Sequence, residues 1–294
     1  MLQTAPDRPV DPLLLAILQR ASEAAHSLGI DFFVGGALAR DLVLWHVHGQ
    51  RTGRATRDVD LGLHVNNWTA FSALKARLVE EGAFELQPGV AHRLLYRPSG
   101  TVHGIPLDLL PFGAVQTHEA TITWPPEHAV VMNVAGFVEA HHTAMSIDLN
   151  RSLKVRVASL PSLAILKLIA WRDRHLETSK DATDFLLIAL RYAEAGNLDR
   201  LYDTETVLLQ NCDFDPDLAG AMLLGKDAAA SMQEPTAHAV ESILVKTGRL
   251  RQRLDDQLQR ALQIGGAFDA RGMNPVRLVD AFADGLALST RPGA

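Results

Sequence analysis

Apolar residues recur at helical spacing through Leu14, Ile17, Leu18, Ala21, Ala25 and Leu28, between Asp11-Pro12 and Gly29. A capping carboxylate followed by proline starts a helix, and a glycine past its last turn ends one. Asp31 to Val34 then reads as a short strand, Gly35-Gly36 as a turn, and Ala37 to about His48 as an amphipathic helix. From Arg57 to His64 the period changes to two: Val59, Leu61 and Leu63 share one face, Asp58, Asp60, Gly62 and His64 the other. Helical spacing resumes from Asn67 or Thr69 to Glu81, before Gly82. His92–Arg97 and Thr101–Leu110 flank Pro98-Ser99-Gly100 and predict a hairpin. Ala120–Trp124, Val130–Val134, Ala144–Leu149 and Leu153–Ala158 predict further strands. Beyond Pro161 the pattern is helical, over Ser162–Arg174, Lys180–Ala195 and most of the remainder to Leu288.

The predicted fold class is therefore α+β, with a first domain over residues 1–159 and a mostly α-helical one over 160–294. Hydrophobic residues at 47% and charged residues at 21% exclude wholesale disorder. Against 34 Asp and Glu stand 28 Lys and Arg, a net charge of −6. That balance excludes coating nucleic acid by bulk charge, though not a local basic groove. One cysteine, Cys212, excludes an internal disulfide framework and suits a reducing cytoplasm. The acidic, proline-bearing start and the short run Leu13–Leu18 match neither a signal peptide nor a membrane span. A cytoplasmic protein with no membrane partner is expected.

Three features of the first part carry chemistry. Gly35-Gly36 lies between a strand and a helix, where glycine permits close backbone approach and the helix start offers free N–H groups to a phosphate. Asp58 and Asp60 lie on one face of a strand, roughly 6–7 Å apart along it, and suit divalent cations; as an isolated pair they read more readily as solvated edge acids. Asp108, within Ile105-Pro106-Leu107-Asp108-Leu109-Leu110, is a carboxylate among apolar neighbours that needs a partner or a metal. Jointly the three predict a metal-dependent nucleotide site.

Phe33-Val34-Gly35-Gly36-Ala37-Leu38, Arg57-Asp58-Val59-Asp60-Leu61 and Asp108 together resemble the DNA polymerase β-like nucleotidyltransferase superfamily. The closer resemblance is to the AbiEii/AbiGii toxin-like nucleotidyltransferases, whose Lys-x4-Arg and Lys-Asp patterns are similar to Lys167–Arg172 and Lys180-Asp181. Seven residues separate Arg172 from Lys180, more than the family pattern has. The resemblance covers about residues 30–190. It implies a polymerase β-like domain, a mixed sheet flanked by helices, followed by a helical domain that completes the cleft. It also implies that Asp58, Asp60 and Asp108 bind two Mg²⁺ ions (Mn²⁺ being an alternative), with Asp108 helping to deprotonate the acceptor. Gly35, Gly36, Lys167 and Lys180 would serve the nucleotide, together with Arg172 or Arg174. Arg174 shares the helix face of Lys167, whereas Arg172 is turned about 140° away. Asp181 and Asp184 orient Lys180 or favour the start of its helix.

The implied activity is transfer of a nucleoside monophosphate from an NTP to an acceptor hydroxyl. An RNA such as a tRNA 3′ end is the first acceptor, and a cognate antitoxin the expected partner. A small-molecule or protein acceptor, or a silent nucleotide- or partner-binding module, are the alternatives. Arg51, Arg54 and Arg57 are candidate phosphate contacts; Lys246, Arg249, Arg253 and Arg260 form either an RNA-facing patch or the charged outer face of a helix.

Overall fold

The computed structural model describes the chain apart from residues 1, 54–55, 99–102, 127, 151–152, 265–273 and 290–294, and gives the backbone alone for 263–264 and 288–289. Arg54, the hairpin tip at Ser99-Gly100 and part of the helical remainder thus lie outside the described residues. The chain divides into two compact units, residues 1–42 with 56–159, and residues 43–55 with 160–294. The segment 43–55, which the sequence groups with the first part, belongs with the second.

The first unit is built on a mixed eight-stranded sheet ordered β1-β9-β10-β2-β3-β6-β5-β4. Its strands are β1 (Leu2–Gln3), β2 (Asp31–Val34), β3 (Val59–Val65), β4 (Phe84–Leu86), β5 (Arg93–Tyr96), β6 (Ile105–Gly113), β9 (Met145–Asp148) and β10 (Lys154–Val157). β7 (Thr121–Thr123) and β8 (Val131–Asn133) form a separate antiparallel pair. Its helices are α1 (Pro12–Ser27), α2 (Gly36–Asp41), α3 (Trp68–Glu80) and α4 (Phe137–His142). Asp11 caps α1 as predicted, accepting from the Leu13 amide at 2.7 Å, and of the two predicted starts of α3 it is Asn67 that caps, accepting from the Ala70 amide at 2.8 Å.

Period-two alternation sorts β3 as expected, with Val59, Leu61, Leu63 and Val65 all buried. The opposite face is less uniform than its sequence suggests. Phe33 lies over Gly62, where an added Cβ would sit 2.3 Å from the Phe33 ring. Phe33 in turn packs against Phe112 and Phe137, with ring centroids 5.8 and 6.0 Å away. That aromatic cover fills the middle of this face, between Asp60 at one end and the exposed His64 at the other.

Three elements were not expected from the pattern: β1, β4 and α4. The single helix expected over residues 37–48 is also different. It is α-helical to Asp41 and then π-helical over Leu42–Val47, the His48 amide bonding the Val43 carbonyl at 3.2 Å. Just before that change, Arg40 is 2% exposed and donates Nε and Nη2 to Asp41 Oδ1. Asp41 Oδ2 accepts from Thr56 Oγ1 at 2.7 Å, a clasp between residues that flank the excursion 43–55.

The second unit is helical: α5 (Leu160–Arg174), α6 (Lys180–Arg191), α7 (Leu198–Asp203), α8 (Thr206–Asn211), α9 (Pro216–Ala229), α10 (Glu234–Leu244), α11 (Arg249–Ile264) and α12 (Pro275–Ser289). Its core includes Trp171, fully buried, whose indole N–H donates to Gln257 Oε1 at 2.7 Å. Leu254 and Leu258 are buried on the inner side of α11. Arg253 and Arg260 are exposed on its outer side, and Lys246, just before it, pairs with Asp280 at 3.6 Å. Among the described residues, no helix is long and apolar enough to cross a membrane.

Candidate active site

β3 and β6 run parallel in a register that places Asp60 directly beside Asp108. β5 pairs antiparallel with β6 and sets Arg93 on the other side of Asp108. Since paired residues in neighbouring strands project to the same face, Asp60, Asp108 and Arg93 form a row across three strands. Asp58 precedes β3 and is exposed; it lies outside the strand that the sequence assigns to it.

The Gly35-Gly36 turn closes on this row. Gly35 donates its amide to the Asp60 carbonyl at 2.8 Å. Gly36 has φ +61°, and a Cβ there would lie 1.8 Å from Asp60 Oδ2. Glycine at this position therefore makes room for the Asp60 carboxylate, a nearer reason than approach to a phosphate.

Asp108 is 7% exposed and is not left unpaired. Arg93 grips it with both prongs, Nε to Oδ1 at 2.6 Å and Nη2 to Oδ2 at 2.7 Å. The hydrogen bonds to Asp108 hold the Arg93 guanidinium above its usual pKa against the effect of burial, and the charges of Asp108, Asp60 and Asp58 add to this. Arg93 is the principal side chain the sequence reading missed. A turn centred on Ser99 would set Arg93 opposite Ile105; the observed register, Arg93 with Asp108, is the one that forms the pair.

Among the described residues, no group of three His, Cys, Asp or Glu side chains is assembled as a metal cluster. The donor chemistry nonetheless fits: Asp58, Asp60 and Asp108 are all carboxylates, the oxygen ligands that Mg²⁺ prefers. The positive charge beside them is the Arg93 guanidinium.

The remaining candidates belong to the second unit. Lys167, 8% exposed, reaches Asp184 at 2.7 Å and Asp181 at 3.2 Å. Arg174 makes a two-pronged pair with Asp181, at 2.7 and 3.0 Å. Burial pushes the Asp181 carboxyl up, but the Arg174 hydrogen bonds and the Lys167 charge outweigh it and hold it below the usual range. Arg174, not Arg172, thus shares the partner of Lys167, as the helical phase of α5 implies; Arg172 bonds Asp173 at 3.0 Å. Asp181 and Asp184 hold Lys167 rather than Lys180, which is exposed at the start of α6.

A family model for the nucleotidyl transferase AbiEii toxin, Type IV TA system, matches residues 16–263. The chain belongs to this AbiEii family. The match spans the glycine turn, the acid row and the Lys167 cluster, so the AbiEii chain is a nucleotidyltransferase with the toxin–antitoxin affiliation of its family. No curated protein matches it in sequence. Among solved structures, an antigenic nucleotidyltransferase-like protein from Paracoccidioides brasiliensis aligns with 81% of this chain and 98% of its own, at 19% identity and TM-score 0.42. The antibiotic-resistance factor ANT(2'')-Ia aligns over 69% and 98%, at 15% identity and TM-score 0.36. The Thermotoga maritima CCA-adding enzyme complexed with tRNA aligns over 96% and 82%, at 12% identity and TM-score 0.27. The family assignment rests on the sequence match, not on these three.

Proposed function

We propose that this AbiEii nucleotidyltransferase moves a nucleoside monophosphate from an NTP to the 3′ hydroxyl of an RNA, a tRNA being the first candidate, and releases pyrophosphate. The observation that carries this reading is the in-register pair Asp60–Asp108, closed on one side by the Gly35-Gly36 turn. Asp58, Asp60 and Asp108 would hold Mg²⁺, with Mn²⁺ as the alternative. A divalent cation bound there offsets the charge of the triphosphate and polarises the α-phosphorus.

The chain's own residues account for the rest. Gly35 and Gly36 present backbone to the terminal phosphates, and Gly36 keeps the Asp60 carboxylate in place. An Asp108 oxygen, once clear of Arg93, accepts the proton of the attacking hydroxyl. Lys167 and Arg174 supply positive charge to the triphosphate, with Lys180 and Arg172 as further cations of the helical domain; Asp181 fixes the first two. The helical domain, residues 160–294, would complete the nucleotide and acceptor cleft. A cognate antitoxin is the expected partner, in keeping with the toxin–antitoxin family.

The test is incubation with Mg²⁺, each labelled NTP and total RNA. Label should enter RNA with wild type and not with Asp60→Ala. No transfer with any NTP, beside an active control enzyme, refutes the RNA acceptor. The net charge of −6 favours a second acceptor class, a small molecule or protein side chain, over a large RNA footprint. Mass spectrometry of candidate acceptors separates the two.

A further inference from the structure

We propose that Arg93 is a nucleotide-binding residue that exchanges partners: it holds Asp108 in the empty site and passes to the triphosphate oxygens when metal and nucleotide enter. This rests on the reading of Asp58, Asp60 and Asp108 as the metal-binding acids.

Both Asp108 oxygens are engaged, at 2.6 and 2.7 Å, by a single guanidinium edge. Mg²⁺ takes carboxylate oxygens at about 2.0–2.1 Å in a near-octahedral shell. A metal on either oxygen would thus share it with a second cation, and the two positive charges would repel. Release of one oxygen by Arg93 would relieve that repulsion and open Asp108 more fully to a metal. The released guanidinium has a ready destination. Its planar fork matches phosphate as well as carboxylate, and both pairs are two-pronged. Strand register keeps it there, because Arg93, Asp108 and Asp60 are successive members of one cross-strand row. Its side chain is 31% exposed against 10% for Asp108, so the guanidinium is the more solvent-accessible member of the pair.

The exchange has a double signature that a structural ion pair lacks. Removing the guanidinium should help metal alone and harm metal with nucleotide. With the full chain, Mn²⁺ binding is read by electron paramagnetic resonance, alone and with each of the four α,β-methylene NTP analogues. In Arg93→Gln, Mn²⁺ alone should bind at least 3-fold tighter, and the Mn²⁺–analogue complex at least 10-fold more weakly. Arg93→Lys, which keeps the charge and loses the fork, should fall between, and serves as the readout if the glutamine variant does not fold. Mn²⁺ affinity unchanged or reduced in the folded variant overturns the exchange, and so does undiminished analogue binding. Asp60→Asn is the reference: Mn²⁺ bound equally well without Asp60 overturns the metal-site reading, and the exchange with it. Asp60-dependent binding that ignores Arg93 overturns the exchange alone.

Discussion

Replacing Gly36 by alanine tests whether the glycine turn serves the Asp60 carboxylate. Two costs are combined at this position. The backbone has φ +61°, a left-handed conformation that costs an L-residue about 1–2 kcal/mol. The new Cβ would also stand 1.8 Å from Asp60 Oδ2, whereas real contacts stay beyond 3.0 Å, so the carboxylate must retreat by 1.2 Å (3.0 − 1.8). Turning Asp60 off its rotamer adds about 0.5–1.5 kcal/mol. Gly29 provides the control, since it has φ +64° with nothing within 4 Å of an added Cβ. Gly29→Ala therefore isolates the backbone cost, and urea denaturation followed by circular dichroism should give a loss of about 1–2 kcal/mol. Gly36→Ala should lose more than Gly29→Ala by the Asp60 contribution. The functional difference should be larger. A misplacement of about 1 Å at reacting groups costs on the order of 10²-fold, so pyrophosphate release with NTP and total RNA should fall about that much in Gly36→Ala and stay near wild type in Gly29→Ala. Equal stability losses with full turnover in both variants would refute the steric argument.

Gly62→Ala should overpack the aromatic cluster, because its Cβ would lie 2.3 Å from the Phe33 ring; a loss of about 1–3 kcal/mol in urea is expected, and Phe33→Leu should recover part of it in a double-mutant cycle. Lys167→Met removes the ammonium between two buried carboxylates; breaking such a pair from one side costs about 3–5 kcal/mol, and the lower end applies because Arg174 still holds Asp181. His141 is held down to about 4, chiefly by burial and then by the Arg156 charge. The unfolded chain protonates first as pH falls, so this stability is complete above about pH 6.5 and is lost towards pH 4. His141→Gln should flatten that part of a urea-midpoint profile, and an unchanged slope would count against the assignment.

The parts of this fold legible in the sequence are those fixed by local periodicity. The caps at Asp11 and Asn67 and the alternation along β3 needed no knowledge of distant residues. β1 is two residues long and exists because Leu2 pairs with Ile147 across the chain, a partner no local window contains. The widening of the helix after Asp41 is likewise invisible to apolar spacing, since 3.6- and wider-period turns bury overlapping sets of residues. At the site, the three acids and the glycines were legible as residue types. Arg93 was not, because its role depends on hairpin register, and a three-residue shift in register would pair it with Ile105 instead. In the helical part, the phase of α5 sets Arg174 apart from Arg172, but apolar spacing carries no sign that Asp181 and Asp184 turn towards Lys167.

The clasp between Asp41 and Thr56 also bears on how this chain tolerates rearrangement. Residues 43–55 leave the first unit, and Asp41 and Thr56, near the two ends of that segment, are bridged by a hydrogen bond of 2.7 Å. Doubling the length of such a loop adds only about 0.6 kcal/mol of closure entropy. The closure cost itself thus depends only weakly on the length of the excursion. Cutting out residues 43–55 and rejoining Leu42 to Thr56 through a short glycine linker would keep the buried Leu42 and leave the acid row on an uninterrupted β2–α2–β3 path.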